Sequence, residues 1–287
     1  MGVIGDAYVS ESDTYHVRPT RGIPPSASPV LTALELDAPE LVSLADLTEL
    51  VKQAGIRTEP RVVADRLRKL GWLLPTETAG VWEFAPAAHA GPIGHGDPYL
   101  ELRAALTAHP SLDAAVCLTS ALATHGLADR APGRLEVAVN TGVSVPRGLR
   151  RATRIVTFDA RLEPDRSRGV PVHRPATVLV HLAARPVDVQ GWGAIAEVLP
   201  DLAETVTPTD IDVELAARPR SVRVRLAYLT QGVAPALAER LLPPGEGGRA
   251  APKVWFGPRV PLKRHSTRFA VADTLLPFDP ATLRPAP

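Results

Sequence analysis

The sequence predicts an α+β protein in which a small N-terminal domain precedes a larger mixed C-terminal domain. The chain has 287 residues, which is enough for two compact domains. Hydrophobic residues make up 45% and charged residues 22% of the chain, as in an ordinary globular protein. After about residue 97 the predicted strands and helices are segregated along the chain, which favours α+β over a parallel α/β sheet.

Two regions rich in proline and glycine divide the chain. Residues 1–28 are polar and end in a turn-rich run, so we expect a mobile tail there. A second cluster of Pro and Gly lies between residues 85 and 98. The expected organisation is therefore a tail at 1–28, a first domain at 29–90 and a second domain at 97–287.

The first domain contains a helix-turn-helix pattern. Ser43 is a suitable N-cap for a helix that Gly55 ends, and Thr58 is a suitable N-cap for a second helix. Pro60 would lie in the first turn of the second helix and Gly71 would end it. Apolar residues recur at helical spacing in both segments, at Leu44, Leu47, Val51 and Ala54 and at Val63, Leu67 and Leu70.

A short hairpin is predicted directly after these helices. Strands at 72–75 and 81–84 flank a polar turn at 76–80, and the whole unit is then a winged helix-turn-helix. We expect Trp72 and Trp82 to be core residues of the wing.

The outer face of the second helix is the predicted DNA-binding surface. Arg61, Val62 and Asp65 lie in its first half, where base edges are usually reached. Arg57, Arg68 and Lys69 are better placed for phosphates. The predicted DNA-binding residues are Arg57, Thr58, Arg61, Val62, Asp65, Arg68, Lys69, Thr76 and Thr78. Because residues 41–84 hold six basic and six acidic residues, a protein-interaction module is the alternative.

The second domain is predicted to hold most of the secondary structure. Helices are expected over 99–106, 114–125, 175–184, 192–202, 209–217 and 219–229, and strands over 134–140, 154–158, 170–173, 253–256 and 268–275. The single cysteine, Cys117, excludes an internal disulfide and is expected on the buried face of the second of these helices.

Charge is distributed unevenly along the second domain. Residues 140–185 have nine arginines and three acids, whereas 186–217 have seven acids and no Lys or Arg. Residues 249–287 have seven basic residues and two Asp. Arg147, Arg150 and Arg151 are therefore a candidate basic patch for a partner or for DNA, and a merely solvated helix face is the other interpretation.

No catalytic, cofactor or metal site is predicted. His89, His95 and Asp97 lie in the Pro/Gly-rich linker and are more simply loop residues than metal ligands. Asp210 and Asp212 resemble the paired acids of nucleotidyltransferases but lack a Gly-Ser pair upstream. The N-terminus has no signal-peptide pattern, and the longest uncharged stretch is too short to span a membrane, so we expect a cytoplasmic protein without membrane contact.

Several features together resemble the AbiEi-type antitoxins of type IV toxin-antitoxin systems. These are the winged helix with its Gly71-Trp72 junction, the aromatic second wing strand, the Asp97-Pro98-Tyr99 opening and the helix that ends in Ser120-Ala-Leu-Ala-Thr-His-Gly126. The similarity extends through Pro219–Gly232 to Lys253–Phe256.

The resemblance implies a DNA-binding antitoxin that takes part in phage defence and is not an enzyme. Its winged helix would bind repeats in its own promoter, as double-stranded DNA, and repress transcription. Its C-terminal domain would counter a cognate nucleotidyltransferase-like toxin. The alternatives are a plain winged-helix transcriptional regulator, or an enzyme related to nucleases or nucleotidyltransferases that a winged helix targets to DNA.

Overall fold

The structure is a computed structural model that describes residues 22–23, 25–87, 96–242 and 251–286. The chain divides into two compact units, Met1–Pro75 with Trp82–Gly94 and Thr76–Val81 with His95–Pro287. The described residues form 11 α-helices and three small sheets, which confirms the α+β class. Among these residues, no helix is both long and apolar enough to cross a membrane.

The first unit has a helical pair followed by a hairpin, as the sequence predicts. Its elements are α1 (Ser28–Asp37), β1 (Leu41–Ser43), α2 (Leu44–Gln53), α3 (Pro60–Lys69), β2 (Leu73–Pro75) and β3 (Val81–Phe84). The strands form one sheet in the order β1-β3-β2, with β2 and β3 antiparallel. Leu47, Leu67 and Trp72 are buried in one hydrophobic core, and Trp82 packs against it.

The two central helices begin differently. Ser43 caps α2 with a capping box, in which the Asp46 N–H donates to Ser43 Oγ (3.1 Å) and the Ser43 N–H donates to the Asp46 carboxylate (2.8 Å). The prediction that Thr58 caps α3 is wrong, because the N-cap residue is Glu59, whose side chain makes no capping bond. Pro60 starts α3 without an N–H that needs a partner.

The expected tail is structured at its end. Residues Pro25–Ala27 form a 3₁₀ turn, and Ala27 is buried in the core of the first unit. Arg66 of α3 donates a hydrogen bond to Ser26 Oγ, and Trp72 donates one to the Gly22 carbonyl. These bonds, which no local sequence pattern reveals, hold residues 22 and 26 on the domain. The remainder of the tail lies outside the described residues.

The second unit contains the remaining helices and strands. The helices are α4 (Leu100–Ala108), α5 (Leu118–Thr124), α6 (Arg147–Ala152), α7 (Pro175–Ala184), α8 (Trp192–Thr205), α9 (Pro208–Leu215), α10 (Arg220–Thr230) and α11 (Pro235–Leu241). The strands are β4 (Ala114–Val116), β5 (Glu136–Val139), β6 (Arg154–Thr157), β7 (Asp165–Ser167), β8 (Val170–Val172), β9 (Val254–Phe256), β10 (Arg264–Ser266) and β11 (Val271–Asp273).

A five-stranded mixed sheet is the centre of the second unit. Its order is β6-β5-β4-β8-β7, with β5 parallel to β6 and β4 parallel to β8, and the other two pairs antiparallel. Helix α7 is buried along nearly its whole length. A separate small sheet, in the order β10-β11-β9, lies near the C-terminus.

The predicted helix over 114–125 is wrong in its first half. Residues Ala114–Val116 form the central strand β4, buried on both faces, and Cys117 has extended backbone angles before α5 begins. A short apolar run fits a buried strand as well as a buried helix, so hydrophobicity alone does not separate the two. Cys117 itself is fully buried, and burial raises the pKa of its thiol.

Candidate nucleic-acid interface

Helix α3 buries one side and exposes the other. Val63, Ala64 and Leu67 lie in the core of the first unit, whereas Arg61 and Val62 are exposed. Val62 keeps 40% of its surface exposed. The face that the sequence assigns to DNA is therefore open to solvent.

Asp65 binds the two cations that follow it on this face. Its carboxylate lies 2.7 Å from Lys69 Nζ and 2.9 Å from an Arg68 guanidinium nitrogen. The hydrogen bond from Lys69, followed by the one from Arg68, lowers the pKa of Asp65. Asp65 is therefore ionised at neutral pH and offsets part of the positive charge of Arg68 and Lys69.

Arg57 and Arg61 are in a different position. Both are exposed, Arg57 in the turn before α3 and Arg61 in its first turn, and neither makes an ion pair within the described part of the chain. Thr58, which lies between these two arginines in the sequence, is half-buried. The arginines of this surface that make no ion pair within the described part of the chain consequently lie at the start of α3, on either side of the exposed Glu59 in sequence.

The threonines of the turn between β2 and β3 form hydrogen bonds within the hairpin. Thr76 Oγ1 lies 2.8 Å from the Val81 carbonyl and 3.1 Å from the Thr78 carbonyl, while the Thr78 N–H donates to Thr76 Oγ1. Thr78 is buried, so its side chain is not accessible to DNA in this conformation. Residues 76–81 belong to the second unit, although the sequence assigns them to the first domain.

Helix α6 carries the predicted basic patch. Arg147, Arg150 and Arg151 are exposed, and Leu149 between them is fully buried and anchors the helix. The Arg134 guanidinium donates to the carbonyls of Arg151 (2.6 Å) and Thr153 (2.9 Å).

The three arginines of α6 differ in their partners. Arg151 is 3.3 Å from the Glu77 carboxylate. Arg147 and Arg150 make no side-chain ion pair with any described residue. These two cations therefore remain available to a ligand.

The acidic stretch at 186–217 is not a uniform acidic face. Asp188 pairs with Arg185 (2.6 Å) and Asp212 pairs with Arg240 (2.8 Å). Glu214 is fully buried and pairs with Arg218 (2.9 Å). Tertiary pairing and burial thus account for three of the seven acids, whereas Glu197, Asp201, Glu204 and Asp210 make no ion pair with a described residue.

Glu136 and Arg154, the paired first residues of β5 and β6, form a second buried ion pair within the central sheet. The carboxylate lies 2.7 Å from the guanidinium and also accepts a hydrogen bond from the Ser120 N–H. Burial is the main cause that raises the pKa of Glu136. Glu136 bonds to α5 and Arg154 donates to the Asp188 carbonyl, so the pair links β5 and β6 to neighbouring segments and has a structural role.

The residues considered as metal ligands or as nucleotidyltransferase acids either have another role in the structure or lie outside the described residues. Asp210 and Asp212 belong to α9, whose N-cap is Thr207. Asp97 pairs with Arg103, and His89 and His95 lie outside the described residues. Within the described ranges, no three His, Cys, Asp or Glu side chains group as metal ligands.

Comparison with known proteins finds a family match for part of the larger unit. Residues 114–231, which include the central sheet and helices α5–α10, match the family model of the AbiEi antitoxin C-terminal domain. The chain carries an AbiEi antitoxin domain. This match confirms the resemblance that the sequence motifs indicate, and such domains are typical of antitoxins from toxin-antitoxin systems.

A solved structure extends the similarity beyond the AbiEi domain. The RV2827C protein from Mycobacterium tuberculosis superposes with a TM-score of 0.77 at 27% sequence identity, over 90% of this chain and 94% of that chain. No protein with a curated function matches the sequence.

Proposed function

We propose that this protein is a DNA-binding antitoxin that represses its own operon and counters a nucleotidyltransferase-like toxin. The AbiEi domain at residues 114–231 carries the proposal, because it follows, in the same chain, a helical pair whose second helix exposes Arg61 in its first turn. In this account residues 29–90 are a winged helix-turn-helix that binds promoter repeats, and residues 97–287 carry the antitoxin activity. The protein acts by binding, without catalysis and without a cofactor.

The recognition helix in this proposal is α3. Arg61 has no ion-pair partner among the described residues and lies in the first turn, from which recognition helices reach base edges. A guanidinium can donate two hydrogen bonds to guanine, and the exposed Val62 can contact a thymine methyl group. Arg57 is placed to bind a phosphate beside the helix.

The ion pairs of Asp65 give the second half of α3 a different role. Arg68 and Lys69 already donate to this carboxylate, so binding a phosphate would require them to share or exchange that partner. We therefore assign them a weaker, sequence-independent phosphate contribution. Arg147 and Arg150 of α6 provide a second cationic surface, for the toxin or for DNA, in the AbiEi domain.

The experiment uses the full chain, a reporter driven by the sequence upstream of its gene, and the product of the adjacent reading frame as toxin. We expect the chain to repress the reporter and to protect cells from the toxin. The double variant Arg57→Ala, Arg61→Ala should lose repression and keep protection. Repression without protection would favour a plain regulator, and protection that needs both arginines would contradict the proposed division of labour.

A further inference from the structure

A small recess opens on one face of the central sheet of the second unit. Ala115 of β4 and Ala138 of β5 are paired across the two strands, so both side chains point to the same face. Phe158 lies directly after β6, and the pairing of β5 with β6 places it on the same face of the sheet. Two alanines leave space where larger side chains would fill the sheet face, and the recess measures about 140 Å³.

The rim of the recess is polar. Asn140 donates its side-chain amide to Asp113, which leaves the Asn140 carbonyl oxygen and the second Asp113 oxygen as acceptors. Arg161 lies at the same rim and makes no ion pair with any described residue. The rim therefore offers hydrogen-bond acceptors beside one cation, Arg161, and it also includes the Glu163 carboxylate.

A buried histidine lines the recess. His173 is only 3% exposed, and its Nδ1 has no hydrogen-bond partner among the described residues. Burial lowers its pKa to about 4, so the ring is neutral near pH 7 and can donate or accept according to its tautomer. A buried polar atom without a partner is costly, and a ligand that bonds to it would remove that cost.

The loop that closes the recess is held in place by a buried carboxylate. Glu214 accepts hydrogen bonds from the backbone N–H groups of Arg161 (2.9 Å) and Leu162 (3.0 Å), and from the Thr177 hydroxyl. Arg218 pairs with Glu214 and donates to the Asp159 carbonyl. The wall of the recess is thus preorganised without a ligand, which lowers the entropy cost of binding.

We propose that this recess binds the base of a pyrimidine nucleotide, with the phosphate directed toward Arg161. A cavity of roughly 150 Å³ holds one six-membered aromatic ring, which matches a pyrimidine base more closely than a fused purine. The ring would lie against the edge of Phe158, because His181 and Arg218 cover the faces of that side chain. Its N–H donors would face Asp113 and Asn140, and His173 would bond to a further polar atom of the base. This inference is independent of DNA binding by α3.

The proposal is tested by calorimetric titration of the full chain with UMP, CMP, AMP and GMP. We expect at least one pyrimidine nucleotide to bind at least tenfold more tightly than either purine nucleotide. Ala138→Leu, which fills the recess, should weaken that binding at least tenfold. Arg161→Ala should weaken binding of the nucleotide but not of the free base.

Control variants distinguish loss of nucleotide binding from loss of folding and from loss of the proposed function. Arg166→Ala removes a nearby exposed cation that does not line the recess and should change nothing. If Ala138→Leu does not fold, Asp113→Ala takes its place. Absence of binding by all four nucleotides at millimolar concentration, or equal affinity in the recess variants, would overturn the proposal. Reporter repression, measured on the same variants, reports the proposed function separately.

Discussion

The carboxylate of Asp65 lies 2.7 Å from the ammonium group of Lys69, one turn later on the exposed face of α3. Arg68 donates to the other oxygen of the same carboxylate. An exposed pair of this kind contributes little to stability. Its consequence concerns binding, because one negative charge sits among the cations that would otherwise face phosphates.

Removing that negative charge should strengthen DNA binding without improving its specificity. In Asp65→Asn, Arg68 and Lys69 become free to bind phosphates, so we expect a several-fold gain on specific and random DNA alike. The slope of log affinity against log salt should steepen by up to about one per added phosphate contact. Glu49→Gln, which removes a negative charge from α2, is the matched control. A gain confined to the specific sequence would contradict this role for Asp65.

Charge reversal on α6 should reduce binding while leaving the fold intact. For the double variant Arg147→Glu, Arg150→Glu we expect weaker binding of DNA or toxin, most clearly at low salt, since exposed charges are screened beyond about 10 Å at ~0.1 M salt. The melting temperature should hardly change. Arg151 is left in place because it pairs with Glu77.

The control for α6 is reversal of Arg130 and Arg223, two exposed arginines elsewhere in the second unit. If both double variants bind alike across the salt range, the α6 arginines are only a solvated face.

The buried Glu214 should be among the most sensitive positions of the AbiEi domain. Glu214→Ala leaves the Arg218 charge without its carboxylate partner and two backbone N–H groups without their acceptor, and breaking a buried ion pair in this way costs about 3–5 kcal/mol. Chemical denaturation measures this loss. Asp212→Ala, on the same helix, breaks an exposed pair and should cost at most about 1 kcal/mol. Similar losses of unfolding free energy in both variants would contradict the role of Glu214 as the shared acceptor of these buried hydrogen bonds.

Acid should destabilise the second unit partly through His173. Its pKa is 6.5 in an unfolded chain and about 4 in the fold, so between these values the unfolded state binds the extra proton. Stability therefore falls as the pH drops below about 6.5, by about 3 kcal/mol at pH 4 from this residue. His173→Gln should flatten this part of the pH profile, whereas substitution of the exposed His109 should not. An unchanged profile in His173→Gln would show that the ring is not held neutral.

The sequence predicts the local features of this fold well. Ser43 at the start of α2, the apolar period of α3 and the proline-initiated α7 are signals within one turn of a helix, and the structure has all three elements there. The strand β4 and the capping of α3 are predicted wrongly, because burial on both faces and backbone geometry depend on the tertiary fold.

The candidate sites show the same limit. The exposed face of α3 follows from periodicity alone, and the sequence therefore identifies Arg61 and Val62. The sequence does not indicate that Asp65 offsets Arg68 and Lys69, or that Thr78 is buried. The recess depends on small residues in two strands and on a histidine after a third, which are far apart in sequence. These residues come together only when β4, β5 and β8 pair in the folded sheet.

The affinity of the full chain for duplex DNA from upstream of its own gene, compared with a scrambled duplex, tests the central claim most directly. A mobility-shift titration across salt concentration measures both. We predict that the upstream duplex binds more tightly, and that Arg61→Ala costs about 1–3 kcal/mol on that duplex and little on the scrambled one. Binding to neither duplex at low salt, by a chain that remains folded, would contradict the account.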